Sequence, residues 1–283
     1  MLLLLTFEIA SDENNMDLKD TPTLKQFHNL SKYGNVRHFI SSREGGVSKG
    51  PYKGLNLGLH TSDLEKDVIK NRELLAETLG IPPGRFVYAN QAHTGNVAVI
   101  GEQDAGKGAD SLTFSIPETD AMITDIPGIC LVVMVADCVP LIFYDPVKHI
   151  AAVAHAGWRG TLQLIAFKTI ELMMKKFGSA PGNILCGIGP SIGPCCYEVG
   201  EEVISAVQSL PVNTEGYLLR SSKPGKAVFD LWTSNHHQLT DAGVRPENIE
   251  NSEICTLCNS VDYFSSRAGK GVTGRFAAGI CLV

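Results

Sequence analysis

Ile129-Cys130-Leu131-Val132-Val133-Met134-Val135-Ala136-Asp137-Cys138-Val139-Pro140-Leu141-Ile142-Phe143-Tyr144 opens the part of the chain that decides its fold. Ile129 to Val135 and Leu141 to Tyr144 are apolar throughout, too short for helices and rich in β-formers, so they read as buried strands. Ile150 to Ala154 and Ile184 to Ile188 have the same character. Between those two runs the pattern turns helical. After Gly157-Trp158-Arg159-Gly160, Thr161 offers an N-cap, and Ile165, Ile170, Met173, Met174 and Phe177 supply apolar positions until Gly178 stops the run. A strand, a loop and a helix in this order predict an α/β or α+β architecture.

Working outward, Ser62-Asp63-Leu64-Glu65 offers a capping box ahead of Leu64, Val68, Leu75 and Leu79, with Gly80 as the stop. Val199 to Leu210 and Leu231 to Asp241 read as further helices, and Phe276 to Val283 as a closing strand. No linker or repeat divides the chain, which predicts one domain over residues 36–283 behind a partly flexible N-terminal segment, 1–35, with polar Ser11 to Asp20 inside it. With 283 residues, 44% of them apolar, the chain can bury a substantial core. No run approaches the ~20 apolar residues of a bilayer crossing. Met1 to Leu5 looks like the start of a signal peptide, but it lacks a basic flank, and Glu8, Asp12 and Glu13 follow, so a cytoplasmic location is expected. A net charge of -6 with scattered Lys and Arg argues against nucleic acid or an anionic membrane as partner. Eight cysteines in a chain of this size are too sparse for a disulfide scaffold and read as thiols, some of them candidate ligands.

Three potential soft-metal ligands, His93, Cys138 and His155, each sit by the end of an expected strand, where fixed backbone hands over to loop. Two imidazoles and a thiolate form a chemically reasonable Zn²⁺ set, and three protein ligands leave a fourth position open, as in catalytic zinc sites. Spacing alone favours a buried thiol and two satisfied histidines over a ligand set.

Several blocks occur in the order of one known family. They are Ser42-Arg43-Glu44-Gly45-Gly46-Val47-Ser48, Leu55-Asn56-Leu57-Gly58-Leu59-His60, Gln91-Ala92-His93 and Ala136-Asp137-Cys138-Val139-Pro140. His155-Ala156-Gly157-Trp158-Arg159-Gly160, Gly189-Pro190-Ser191-Ile192-Gly193-Pro194-Cys195-Cys196-Tyr197-Glu198-Val199 and Thr273-Gly274-Arg275 continue the series. From about Val36 to the C-terminus the chain resembles the laccase-domain-containing, or polyphenol oxidase, family of purine nucleoside phosphorylases and peptidoglycan editing factors. The resemblance implies a four-layered α-β-β-α sandwich shared with the catalytic domain of cytotoxic necrotizing factors. It also implies one zinc per chain, bound by His93, Cys138 and His155, which would also be the catalytic residues. The implied chemistry is phosphorolysis of adenosine, inosine, guanosine and methylthioadenosine, with adenosine deamination alongside. Thr94 departs from the glycine that many members carry after the histidine.

Phosphorolysis needs donors for phosphate near C1′ of the ribose, and Arg43 and Arg159, each in a glycine-rich loop, are the leading candidates. Asn56 and His60 are candidates to complete the nucleoside pocket. Copper is less expected than zinc, because a multicopper site needs many imidazoles, whereas this chain has 8 histidines and no His-X-His pair. The base-deaminase signature His-X-Glu with a later Pro-Cys-X-X-Cys is absent.

Gly189-Pro190-Ser191-Ile192-Gly193 fits a nucleophile elbow in form, but its prolines favour a site-wall loop. Cys255-Thr256-Leu257-Cys258 has zinc-ribbon spacing without a second such pair, and adjacent Cys195-Cys196 look awkward as partners, so structural thiols are expected. Asp137 is a candidate for orienting a ligand histidine. Two alternatives stay open beside the phosphorylase. One is an amidohydrolase acting on peptidoglycan precursors, by a Cys138 nucleophile and His155 base or by zinc. The other is a non-catalytic binding protein pinned by zinc. A monomer is expected.

Overall fold

The computed structural model describes residues 22–283; the expectations for Met1 to Leu5 and Ser11 to Asp20 lie outside these residues. In chain order β1 (Leu24–Lys25), α1 (His28–Ser31) and β2 (Val36–Ser41) lead to α2 (Glu65–Leu79), β3 (Phe86–Tyr88), β4 (Val97–Val99) and β5 (Ala121–Thr124). Then come β6 (Cys130–Val135), β7 (Val139–Asp145), β8 (Ile150–Ala156), α3 (Trp158–Leu162), α4 (Ile165–Phe177) and β9 (Leu185–Ile188). The chain finishes with β10 (Glu198–Val199), α5 (Glu201–Gln208), β11 (Leu218–Arg220), β12 (Ala227–Phe229), α6 (Leu231–Asp241), β13 (Ile249–Asn251) and β14 (Phe276–Leu282).

Two mixed sheets carry the fold, one in the order β1-β2-β14-β6-β3 and the other β13-β9-β7-β8-β5-β4; β10, β12 and β11 form a small third sheet. Side-chain alternation along each strand assigns the layers. In β6, Leu131, Val133 and Val135 pack with Ile142 and Tyr144 of β7 and Ala151 and Val153 of β8, filling the space between the large sheets. The opposite face of β6, Cys130, Val132 and Met134, packs with Leu75 and Ala76 of α2. In β7 and β8, Leu141, Phe143, Ala152 and Ala154 face Ile165, Ala166, Ile170 and Met173 of α4. The result is an α-β-β-α sandwich, and strands covered on both faces explain the unbroken apolar runs.

Several expectations shift in detail. Leu24 and Lys25 pair with Ser41 and Ile40, and Phe27 and Leu30 are buried, so ordered structure begins upstream of Val36. The capping box at Ser62 does not form, because the helix starts at Glu65 with Leu64 as an extended N-cap and no side-chain cap. Thr161 is not an N-cap either. It lies inside α3, buried, with Oγ1 accepting from Asn235 Nδ2 at 3.2 Å, while Leu164 at φ 60° separates α3 from α4. Gly80 and Gly178 do close their helices in the left-handed conformation, φ 62° and 69°. Among the described residues no helix is long and apolar enough to cross a membrane.

Candidate active site and metal centre

His93, Cys138 and His155 come from three different elements. His93 lies in the loop after β3, Cys138 in the link Ala136 to Cys138 between β6 and β7, and His155 inside β8 rather than beyond its end. Their ligand atoms all lie within 4.8 Å of one another. The two imidazole rings meet edge to face, centroids 4.8 Å apart. His93 (φ 58°) and Asp137 (φ 85°) both occupy the left-handed region without being glycine, which is backbone strain held beside the ligand set. Gly157 completes the close packing, since a Cβ there would stand 2.9 Å from Cys138 Sγ and 3.1 Å from His93 Cδ2.

Asp120 organises two of the three candidate ligands. Its Oδ1 meets His155 Nδ1 at 2.8 Å, which leaves the other ring nitrogen for Cys138. It also accepts the backbone N–H groups of Ala92, His93 and Thr94 and the Thr94 hydroxyl, at 3.2, 3.1, 2.6 and 2.8 Å. Thr94, the departure from the family pattern, thus adds a bond of its own to the carboxylate. The role considered for Asp137 belongs to Asp120. Asp137 turns the other way, accepting the Thr256 hydroxyl and the Arg267 N–H, each at 2.6 Å. Both acids border apolar strands in the sequence, so nothing local distinguishes them.

The electrostatics follow from this packing. Burial opposes a charged Cys138, but the imidazoles of His155 and His93 outweigh it and lower the thiol to about 6. Burial likewise opposes a charged His155, but Cys138 and Asp120 raise it to about 9. Loss of hydration, reinforced by Arg275 and Arg72, lowers His60 to about 4.

A cavity of about 570 Å³ opens over the trio, lined also by His60, Tyr197, Arg267, Lys270 and Arg275. This volume suits a small organic ligand. Of the four residues proposed from sequence to bind substrate, His60 lines the cavity and Arg43, Asn56 and Arg159 do not. Arg43 donates to the carbonyls of Ser260 and Lys53 and lies 4.7 Å from the Phe264 ring. Arg159 pairs with Glu202 at 3.1 Å and stacks on Trp158. Asn56 is buried, and its Oδ1 accepts the Arg275 N–H at 2.8 Å. It supports a wall residue from behind. The cations on the wall come instead from Ser265 to Arg275, whose Gly, Ser, Lys and Arg content was the available signal for an anion-binding loop. Ser191 is buried, accepting from Trp232 Nε1 at 2.7 Å and donating to the Gly189 carbonyl, which fits a wall loop and not a nucleophile elbow.

Residues 37–283 match the family described as multi-copper polyphenol oxidoreductase laccase. The chain belongs to this family. Among its laccase-family relatives, Purine nucleoside phosphorylase YlmD of Geobacillus stearothermophilus is 39% identical over 239 residues, 84% of this chain and 87% of that one. The protein called Adenosine deaminase RL5, from an unknown prokaryotic organism, is 35% identical over 245 residues, 87% of this chain and 93% of its own. In three dimensions the fold is similar to the Bacillus licheniformis hypothetical protein YfiH, with a TM-score of 0.88 and 34% identity over 93% of this chain and 97% of that one. The G. stearothermophilus YlmD structure gives a TM-score of 0.85, with 38% identity over 88% of this chain and 93% of that one.

Proposed function

We propose that the chain is a zinc-dependent purine nucleoside phosphorylase with adenosine deaminase activity, acting on adenosine, inosine, guanosine and methylthioadenosine. One observation carries the reading: a single cavity has the His93, Cys138 and His155 donors at its base and Arg267, Lys270 and Arg275 on its wall. The names of the relatives, phosphorylase and adenosine deaminase, support it. The donor set fits zinc, since two imidazoles and a thiol already poised to ionise converge, and Asp120 fixes the orientation of His155. Zinc held there would act as a Lewis acid with an open position. A multicopper centre fits less well, because this cluster offers only two imidazoles and the other one among the described residues contains none.

In phosphorolysis a phosphate oxygen bonds to C1′ of the ribose while the base departs with the electron pair of its N-glycosidic bond. Arg267, Lys270 and Arg275 hold the phosphate by charge-assisted hydrogen bonds. Arg275 is kept in place by its backbone bond to Asn56 and by its own Nη1 bonds to the carbonyls of Thr273 and Gly274, at 2.9 and 3.0 Å. His60, neutral at pH 7, offers the sugar or base an uncharged donor or acceptor beside them. Tyr197, whose hydroxyl stays protonated because burial pushes its pKa up, supplies an apolar ring for the purine.

The test follows inosine and adenosine turnover by metal-quantified protein, with and without phosphate, measuring base, ribose-1-phosphate and ammonia separately. Phosphate-dependent release of hypoxanthine or adenine is expected; no nucleoside turnover by the zinc-loaded protein refutes the reading. A second reading rests on the Cys138 and His155 pair, which already has the polarity of a thiolate nucleophile and its base for amide hydrolysis in peptidoglycan precursors. That reading predicts activity that survives chelation and His93→Ala, whereas the phosphorylase loses activity to both.

A further inference from the structure

Among the described residues a second cluster could hold a cation: Cys195, Cys196, Cys255 and Cys258, whose Sγ atoms all lie within 4.8 Å of one another. We infer that these four cysteines form a separate tetrathiolate zinc site that ties together two walls of the cavity. The inference goes beyond the proposed activity and does not depend on it.

A tetrahedral Zn²⁺ with Zn–S bonds near 2.3 Å has sulfur-to-sulfur edges of about 3.8 Å. Cys195 and Cys196 stand 3.6 and 3.4 Å from Cys258, close to that edge. The sequence made adjacent Cys195 and Cys196 look unsuited to this. A turn reconciles them: the N–H groups of Cys196 and Tyr197 both donate to the Gly193 carbonyl, at 2.9 and 3.0 Å, and the loop folds onto the second pair. Cys255 and Cys258 supply the short-spaced pair expected of a zinc knuckle, and the Gly193 N–H donates to Cys255 Sγ at 3.3 Å, a contact that stabilises a thiolate. No fifth donor is needed, because four protein sulfurs close the tetrahedron, the mark of a structural and not a catalytic zinc.

The position gives the site its consequence. Ser191 and Thr256 join the two segments by a backbone bond of 3.0 Å, and Ser191 with Cys255 forms an isolated parallel bridge. The first segment continues into Tyr197 and the second into Arg267, Lys270 and Arg275, all on the cavity wall. Zinc here would clamp both at their roots. Each Zn–S bond that forms replaces an S–H bond, the proton passes to solvent, and no electron is transferred.

The experiment is a zinc count on the full chain, reduced, loaded with zinc and freed of excess metal, as wild type and as the double variant Cys195→Ser with Cys258→Ser. Both residues are exposed, so the variant keeps its core. The expected result is one zinc fewer per chain in the variant, a difference independent of what the His93 site holds; equal counts overturn the inference. Refilling metal-free wild type with Co²⁺ gives an independent readout. Intense thiolate-to-cobalt charge transfer that falls in the double variant to the single-thiolate band of the Cys138 centre is expected, and a spectrum unchanged by the substitutions overturns the site. Intact mass decides the remaining rival: a disulfide joining Cys258 to Cys195 or Cys196 that forms in protein purified with zinc but without reductant refutes it, whereas four thiols that alkylate only after chelation support it.

Discussion

Asp120 shows how much of the centre depends on a side chain that ligates nothing. It holds His155 by one ring nitrogen and gathers the backbone of the His93 loop, so one carboxylate sets two ligands. Asp120→Asn keeps the shape but loses the charge, and loss of such a partner weakens metal affinity by roughly 10–100-fold. Competition against a chelator of known affinity reads this directly, with circular dichroism unchanged. His38 makes the corresponding point about stability. It is buried, accepts the Phe27 N–H through Nε2 at 2.8 Å, and burial lowers its pKa to about 4. An unfolded imidazole titrates near 6.5, so between pH 6.5 and 4 the unfolded chain binds a proton that the folded chain refuses. The contribution of His38 is complete above pH 6.5 and is lost as the pH falls, to a limit of about 3 kcal/mol. Urea midpoints at pH 7.5 and 5 should separate accordingly, and His38→Gln should narrow the gap.

The strands were legible because each is covered twice. Ile129 to Val135 and Leu141 to Tyr144 show no alternation, and the structure explains why: one face of each meets helices and the other meets the opposite sheet. Helix ends were half legible. The glycine stops are local chemistry and appear where expected, whereas the left-handed Leu164 (φ 60°) between α3 and α4 leaves no mark in the sequence. Leu131 tests the strand argument, lying fully buried between the sheets. Leu131→Ala should cost about 2–5 kcal/mol in denaturant unfolding. Val147→Ala, at a side chain 67% exposed, should stay within about 0.5 kcal/mol of wild type.

In the assembled molecule, ligand donors separated by 45 and 17 positions, His93 to Cys138 and Cys138 to His155, become neighbours only because two sheets stack. Periodicity cannot report such a meeting, and the resemblance to a family supplied what spacing alone left open. The cavity cations were missed for the same reason. Arg43 and Arg159 sit in glycine-rich loops as Arg267 and Arg275 do, and only the closed fold turns one pair toward the cavity and the other onto Phe264 and Trp158. Since the trio comes together only in the folded chain, a metal held there would add to folding energy: under the zinc reading proposed above, free Zn²⁺ at a thousand times its Kd would stabilise by about 4 kcal/mol. Thermal unfolding followed against free zinc should therefore show a Tm that rises with the logarithm of zinc concentration, and a flat Tm would mean that the ion does not distinguish the folded state.

The link of Ala136 to Cys138 is the only chain between β6 in one large sheet and β7 in the other. Even fully extended, such a stretch reaches only about 10–14 Å, against the ~10 Å typical between stacked sheets, and Asp137 at φ 85° bends it. Cys138 rides on this short bridge while His155 is anchored in β8. Any sliding of the two sheets is thus transmitted to the distance between a sulfur and a ring nitrogen, which makes the ligand trio a strain gauge for the hydrophobic interior. Trimming Ile142 to Val, at a distance from the centre, should register in the absorption of cobalt bound there before it registers in any global measure of unfolding.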